Sequence, residues 1–158
     1  MSDRTEWLEG RDPDAALIIR TDHGDEPAWA ALRTELLKPW GDNNIELYVH
    51  IADDPRWAGF TPEQVLSAVA ADEELSVVFL ADHESMRDGP GTLLAMAVLT
   101  REECDSDEEF EADGGAFRTV TSGVPEIHAN LMIANLSFGD FKEAAEQDPQ
   151  GVFRGFTL

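Results

Sequence analysis

Ala15-Ala-Leu-Ile-Ile-Arg-Thr-Asp22, Ile45-Glu-Leu-Tyr-Val-His-Ile51 and Ser76-Val-Val-Phe-Leu-Ala-Asp82, with the two helical patterns between them, decide the fold. The first and third runs are short, continuously apolar and close on Asp, the pattern of strands buried on both faces. The second alternates imperfectly and reads as another strand. Between the first two lies Asp25-Glu-Pro-Ala-Trp-Ala-Ala-Leu-Arg-Thr-Glu-Leu-Leu-Lys38. Trp29, Leu32 and Leu36 recur at i, i+3 and i+7, so this segment is predicted to be a helix with one buried face. Asp25 or Glu26 serves the first-turn N–H groups, Pro27 sits where proline is tolerated, and Pro39 and Gly41 stop the helix. Before the third strand, Thr61-Pro-Glu-Gln64 reads as a helix start. Thr61 caps, Pro62 takes the first helical position and Gln64 completes a capping box. Val65, Leu66 and Val69 carry the apolar face. A β-α-β-α-β order predicts parallel neighbours in one sheet, joined by right-handed crossovers.

Beyond the third strand, Gly89-Pro-Gly91 turns the chain into a fourth, Leu93 to Thr100. No helix is expected between the two, which lets the fourth run antiparallel to the third. Phe117 to Thr121 is a fifth strand. Pro125 to Ala134 reads as a short helix or an irregular segment. Ser137-Phe-Gly-Asp140 caps a helix over Phe141 to Glu146, and the apolar tail Val152 to Phe156 is suited to dock as an edge strand. The expected architecture is a single α/β domain with a mixed sheet of five or six strands and helices packed on it. Residues 1–14, polar with Gly10 and Pro13, form an N-terminal arm; residues 15–158 form the domain. A chain of 158 residues buries roughly 70% of its unfolded surface, enough for a self-standing core.

Charge limits the partners. The chain has 33 acids against 11 bases, a formal charge of −22, and only two of the bases are lysines. Such a field repels phosphate backbones and anionic lipid head groups, so nucleic acid and membrane are excluded as direct ligands. It attracts cations and basic protein surfaces. Residues 101–113 hold eight acids and one Arg, −7 of the −22, and read as a solvated acidic loop. The hydrophobic fraction of 42%, with four Trp and eight Phe, is that of a globular chain, not of a disordered acidic one. Cys104 is the one cysteine, lies among acids and makes a poor nucleophile. The start Met1-Ser-Asp-Arg-Thr-Glu-Trp lacks a basic segment followed by an apolar run, and no window reaches the ~18 apolar residues of a membrane span. The expected setting is cytoplasmic.

The constellation most able to carry chemistry is a set of acids at strand ends. Asp22 follows the first strand, Asp53 and Asp54 the second, and Asp82 the third. Ligands of open parallel sheets bind outside the carboxyl ends of the strands. Clustered carboxylates there hold a hard cation such as Mg²⁺, or push one another's pKa values upward. His23 and His83 each follow one of these aspartates, so an Asp-His pair recurs at two strand ends and can serve a divalent metal or a general base. The opposing reading is that Asp follows strands because it caps turns, and 33 acids make coincidence easy. Gly89-Pro-Gly91 is a turn, not a phosphate loop, because neither the Walker residues nor a helix follows it. Asn130 and Asn135 flank Leu131 to Ala134 and either clamp a ligand or cap locally. Trp57 and Phe60 either mark a binding surface or fold back onto the core.

Leu17-Ile-Ile-Arg-Thr-Asp22 with Trp29, Trp57-Ala-Gly-Phe-Thr61, Phe79-Leu-Ala-Asp82, Asn130-Leu-Met-Ile-Ala-Asn135, Phe138 with Phe141, and Val152-Phe-Arg-Gly-Phe156 occur in that order. Together they resemble an uncharacterised family of small acidic bacterial domains of unknown function, over residues 16–156. Arg20, Asp22, Asp82, Asn130 and Asn135 match the polar members of the family pattern, and the acidic insert at 101–113 is longer than in it. The resemblance implies one domain and assigns no activity.

Three functional readings follow. The first is a non-enzymatic acidic binding protein, immunity- or inhibitor-like, that engages a basic protein partner. The second is a divalent-metal-dependent hydrolase or phosphotransferase using Asp22, Asp53, Asp54 and Asp82. The third takes the acidity as solubility or salt adaptation, since Arg outnumbers Lys nine to two.

Overall fold

A computed structural model of the chain describes residues 16–36, 49–52, 57–69, 77–87, 92–98, 106, 108, 115–121, 123–132 and 138–154, with backbone only at 49, 125, 126, 129, 130 and 132. Six strands form one mixed sheet: β1 (Ala16–Arg20), β2 (Val49–Ala52), β3 (Val77–Ala81), β4 (Leu93–Ala97), β5 (Ala116–Thr119) and β6 (Val152–Phe153). Their order across the sheet is β2-β1-β3-β4-β5-β6. The β2, β1 and β3 strands are parallel, β4 is antiparallel to both its neighbours, and β6 returns parallel to β5. The helices are α1 (Glu26–Leu36), α2 (Pro62–Val69), α3 (His83–Arg87), α4 (Gly123–Met132) and α5 (Phe138–Glu146).

The crossovers explain where the helices lie. The chain steps from β1 to β2 in one direction and from β2 past β1 to β3 in the other. Right-handed crossovers in opposite directions place α1 and α2 on opposite faces. The side chains follow this division. Ala16 and Ile18 of β1 pack with Trp29, Leu32 and Leu36 of α1. Leu17 and Ile19 pack with Val65, Ala68 and Val69 of α2. Both β1 and β3 are buried at every position, as continuous apolar runs predict for covered central strands.

The first face also takes α4 and α5. Phe141 meets Phe153 edge-on at 5.2 Å, and Phe117 lies 5.0 Å from Phe138 and 6.2 Å from Phe153. These rings fasten β5 and β6 to α5, each pair adding about 0.5–1.5 kcal/mol beyond the area it buries. On the second face Trp57 is fully buried and meets Phe60 edge-on at 5.1 Å. Of the two readings of Trp57, burial in the core is the one observed.

Local signals act as expected at both crossover helices. The N–H of Ala28 donates to Asp25 Oδ1 at 3.0 Å, making Asp25 the cap of α1. At α2 the capping box is reciprocal: Gln64 N–H donates to Thr61 Oγ1 at 3.2 Å, and Thr61 N–H to Gln64 Oε1 at 2.9 Å. The segment 125–134, left between helix and irregular chain, belongs to helix α4 as far as Met132.

One expectation is corrected. A helix, α3, does lie between β3 and β4. At five residues it is too short to run back along the sheet as a crossover helix, and the pair is antiparallel. Asp82 is the reason a helix starts here: its Oδ1 accepts the N–H of Ser85 at 3.2 Å. Among the described residues no helix is long and apolar enough to cross a membrane. Nearly all of the acidic stretch 101–113, and with it Cys104, lies outside the described residues.

Candidate functional site

The first and third strands end side by side, with Arg20 level with Ala81. Their next residues carry the polar groups of interest. The carbonyl of Ala81 accepts the N–H of Thr21 at 2.9 Å and of Asp22 at 3.4 Å, so the β1–α1 loop leaves the sheet against the end of β3. A third segment closes the site from the α2 side. Gly59 N–H donates to the carbonyl of Thr21 at 2.9 Å, and Gly59 has φ of +79°, a conformation that favours glycine. These segments enclose an open cleft of about 460 Å³, with Asp22, His23, Gly59, Phe60, Asp82 and His83 among its walls. It lies outside the carboxyl ends of β1 and β3, whose outgoing connections lead in opposite directions along the sheet, to β2 and to β4. That is the topological switch point, the place where open α/β sheets hold their ligands.

The loop carrying Asp22 is braced from below. The Arg20 side chain is only 5% exposed. Its Nε donates to the carbonyl of Asp22 at 2.9 Å, its Nη2 donates to Glu26 Oε1 at 2.9 Å, and its guanidinium carbon lies 4.9 Å from the ring centre of Trp29. A buried guanidinium is tolerated only with such partners. Asp22 in turn accepts the N–H of Gly24 on Oδ1 at 2.9 Å. Its Oδ2 lies 3.3 Å from Nδ1 of His83, whose side chain is 83% exposed against 22% for Asp22. With one side so open to water, this contact adds little stability. Nε2 of His23 lies 3.3 Å from the carbonyl of Arg20 and is turned toward the loop backbone.

Asp82 has a different environment. Arg118, on β5, donates from Nη1 to Oδ1 at 2.8 Å and from Nη2 to Oδ2 at 2.6 Å, a two-pronged pair with both side chains 23% exposed. Burial pushes the Asp82 carboxyl up. The hydrogen bonds and charge of Arg118, with the Ser85 hydrogen bonds, outweigh burial and hold it below the ordinary 3.8. Ser85 is fully buried; its hydroxyl accepts the N–H of Asp82 at 3.1 Å and donates to the carbonyl of Thr92.

Asp22, His23, Asp82 and His83 are therefore brought to one cleft. Asp53, Asp54 and Asn135 lie outside the described residues, and Asn130 falls on α4. Among the described residues no three His, Cys, Asp or Glu side chains converge as a metal site. Arg118 went unnoticed in the sequence, although a lone cation inside an apolar strand of so acidic a chain is a signal for a paired charge.

A family model described as a domain of unknown function, DUF6924, matches residues 15–156. The chain belongs to this family. Comparison with curated proteins gives no match. In this DUF6924 chain the matched span takes in the whole sheet, the switch-point cleft and the Arg118–Asp82 pair.

Proposed function

We propose that this DUF6924 domain is a non-enzymatic acidic binding protein, immunity- or inhibitor-like, that receives a basic side chain of a protein partner in the switch-point cleft. The observation that carries this reading is the Asp22 carboxylate on the cleft wall. Among the described residues each of its oxygens has one protein partner, and a carboxylate oxygen has two lone pairs, so both retain capacity for a cationic donor. Phe60 adds an apolar wall, and about 460 Å³ accommodates a long side chain. The charge of −22 supplies steering toward a basic surface and disfavours nucleic acid and anionic membrane. The single cysteine fits a reducing, cytoplasmic setting. The metal-dependent hydrolase reading would need Asp82 with its charge uncompensated, and the two-pronged pair with Arg118 neutralises that charge.

Titration of the full chain with a short amidated arginine peptide tests the proposal. Asp22→Asn removes the charge from the contact and weakens binding about tenfold to a hundredfold, matching the ~1.5–3 kcal/mol of a charge-assisted hydrogen bond. Affinity falls as salt is raised, since exposed charges are screened over ~8 Å at physiological ionic strength. Equal affinity of the wild type and Asp22→Asn would refute the site.

A further inference from the structure

We infer that Arg118 sets the cation selectivity of the cleft: by closing on Asp82 it leaves Asp22 to receive one singly charged organic cation and turns divalent ions away. The inference rests on the reading that the cleft takes a cation. Two carboxylates at the ends of adjacent parallel strands are the raw material of a hard-cation site, because such ions gather six or more oxygens, commonly from several carboxylates. Here the second carboxylate is withdrawn. Both Asp82 oxygens receive Arg118, and Oδ1 also receives the buried N–H of Ser85. These contacts tie Asp82 to the body of the sheet and to α3.

Arg118 is well placed for this task. It pairs with Leu94 on β4, and Leu94 pairs with Leu80 on β3, so its side chain reaches back across β4 to the end of β3. It stands between Phe117 and Thr119, both buried, which fixes its backbone. A guanidinium keeps its charge at every accessible pH, so it neutralises Asp82 permanently. Among the described residues two carboxylates line the cleft; one is spent on an internal cation and one is presented. A single carboxylate matches a guanidinium or an ammonium; it leaves a divalent ion short of charge and of oxygens.

Calorimetric titrations of the full chain with CaCl₂, MgCl₂ and the amidated arginine peptide test this, using wild type, Arg118→Gln and Arg118→Lys, each with and without Asp22→Asn. The wild type is expected to show no Asp22-dependent heat with either metal up to about 10 mM. Folded Arg118→Gln, checked by circular dichroism, gains Asp22-dependent Ca²⁺ binding by about tenfold or more, into the millimolar range of weak sites. Arg118→Lys keeps the charge without the two-pronged geometry and excludes the metals as the wild type does. Asp22-dependent metal binding by the wild type would overturn the inference even if Arg118→Gln failed to fold. So would a folded Arg118→Gln that binds Ca²⁺ no better than wild type. If the peptide does not bind while Arg118→Gln gains Ca²⁺, the basic-ligand reading falls and the selectivity role of Arg118 stands.

Discussion

Replacing Asp82 by Asn isolates the Arg118 pair. The substitution keeps the shape and one acceptor oxygen but removes the charge that receives both guanidinium prongs at 2.6 and 2.8 Å. Breaking a fully buried pair on one side costs about 3–5 kcal/mol. A charge-assisted hydrogen bond contributes about 1.5–3 kcal/mol. Both side chains here are 23% exposed, so water takes up part of the loss. The expected cost is about 2 kcal/mol at pH 7, which for a domain of this size lowers the melting temperature by about 4–8 °C. Urea unfolding followed by tryptophan fluorescence measures it, with an unchanged slope against denaturant showing that the unfolded state is the same.

The pH dependence gives a sharper test. The Asp82 carboxyl is held below its ordinary 3.8 in the folded protein, so the unfolded state binds that proton more readily. Its contribution is complete above ~3.8 and is lost as pH falls through the lower folded value. The stability gap between wild type and Asp82→Asn should stay constant from pH 7 to about 5 and close below ~3.8. A gap under about 0.5 kcal/mol at pH 7, within the range of an ordinary surface change, would refute the energetic reasoning. A gap that persists undiminished at pH 2.5 would refute the assignment of the shift to Arg118.

Two further predictions concern the scaffold. A Cβ at position 123 would sit 2.2 Å from Thr119 Oγ1 and 3.0 Å from Phe153 Cδ2, so Gly123→Ala should cost about 1–3 kcal/mol by overpacking; a melting temperature equal to that of wild type contradicts the close approach. Thr61→Ala and Gln64→Ala should each cost about 1 kcal/mol or less, and the double variant less than their sum, because the two side chains cap each other's N–H. Strict additivity in urea unfolding would show that the box contributes no coupled stability.

The sequence by itself determined the elements whose signal is local. Apolar runs at 16–20 and 77–81 specify strands covered on both faces, the i, i+3, i+7 spacing of Trp29, Leu32 and Leu36 specifies the buried side of α1, and Thr61 with Gln64 marks the start of α2. It also placed Asp22 and Asp82 at strand ends, which the parallel pairing of β1 with β3 brings together. The partners were beyond its reach. Arg118 is 36 residues from Asp82 and meets it only through the register of β3, β4 and β5. The five-residue α3 has too few positions to show a helical period. Trp57 reads in the sequence as a loop aromatic near Gly59, and the packing of α2 on the second face decides that it is core. Periodicity and capping depend on neighbours within one or two turns, so a sequence displays them. Charge pairing across strands depends on order and register, which exist only once the sheet has formed. The sequence therefore shows two acids at strand ends, and the tertiary structure decides that one of them is neutralised and the other faces the cleft.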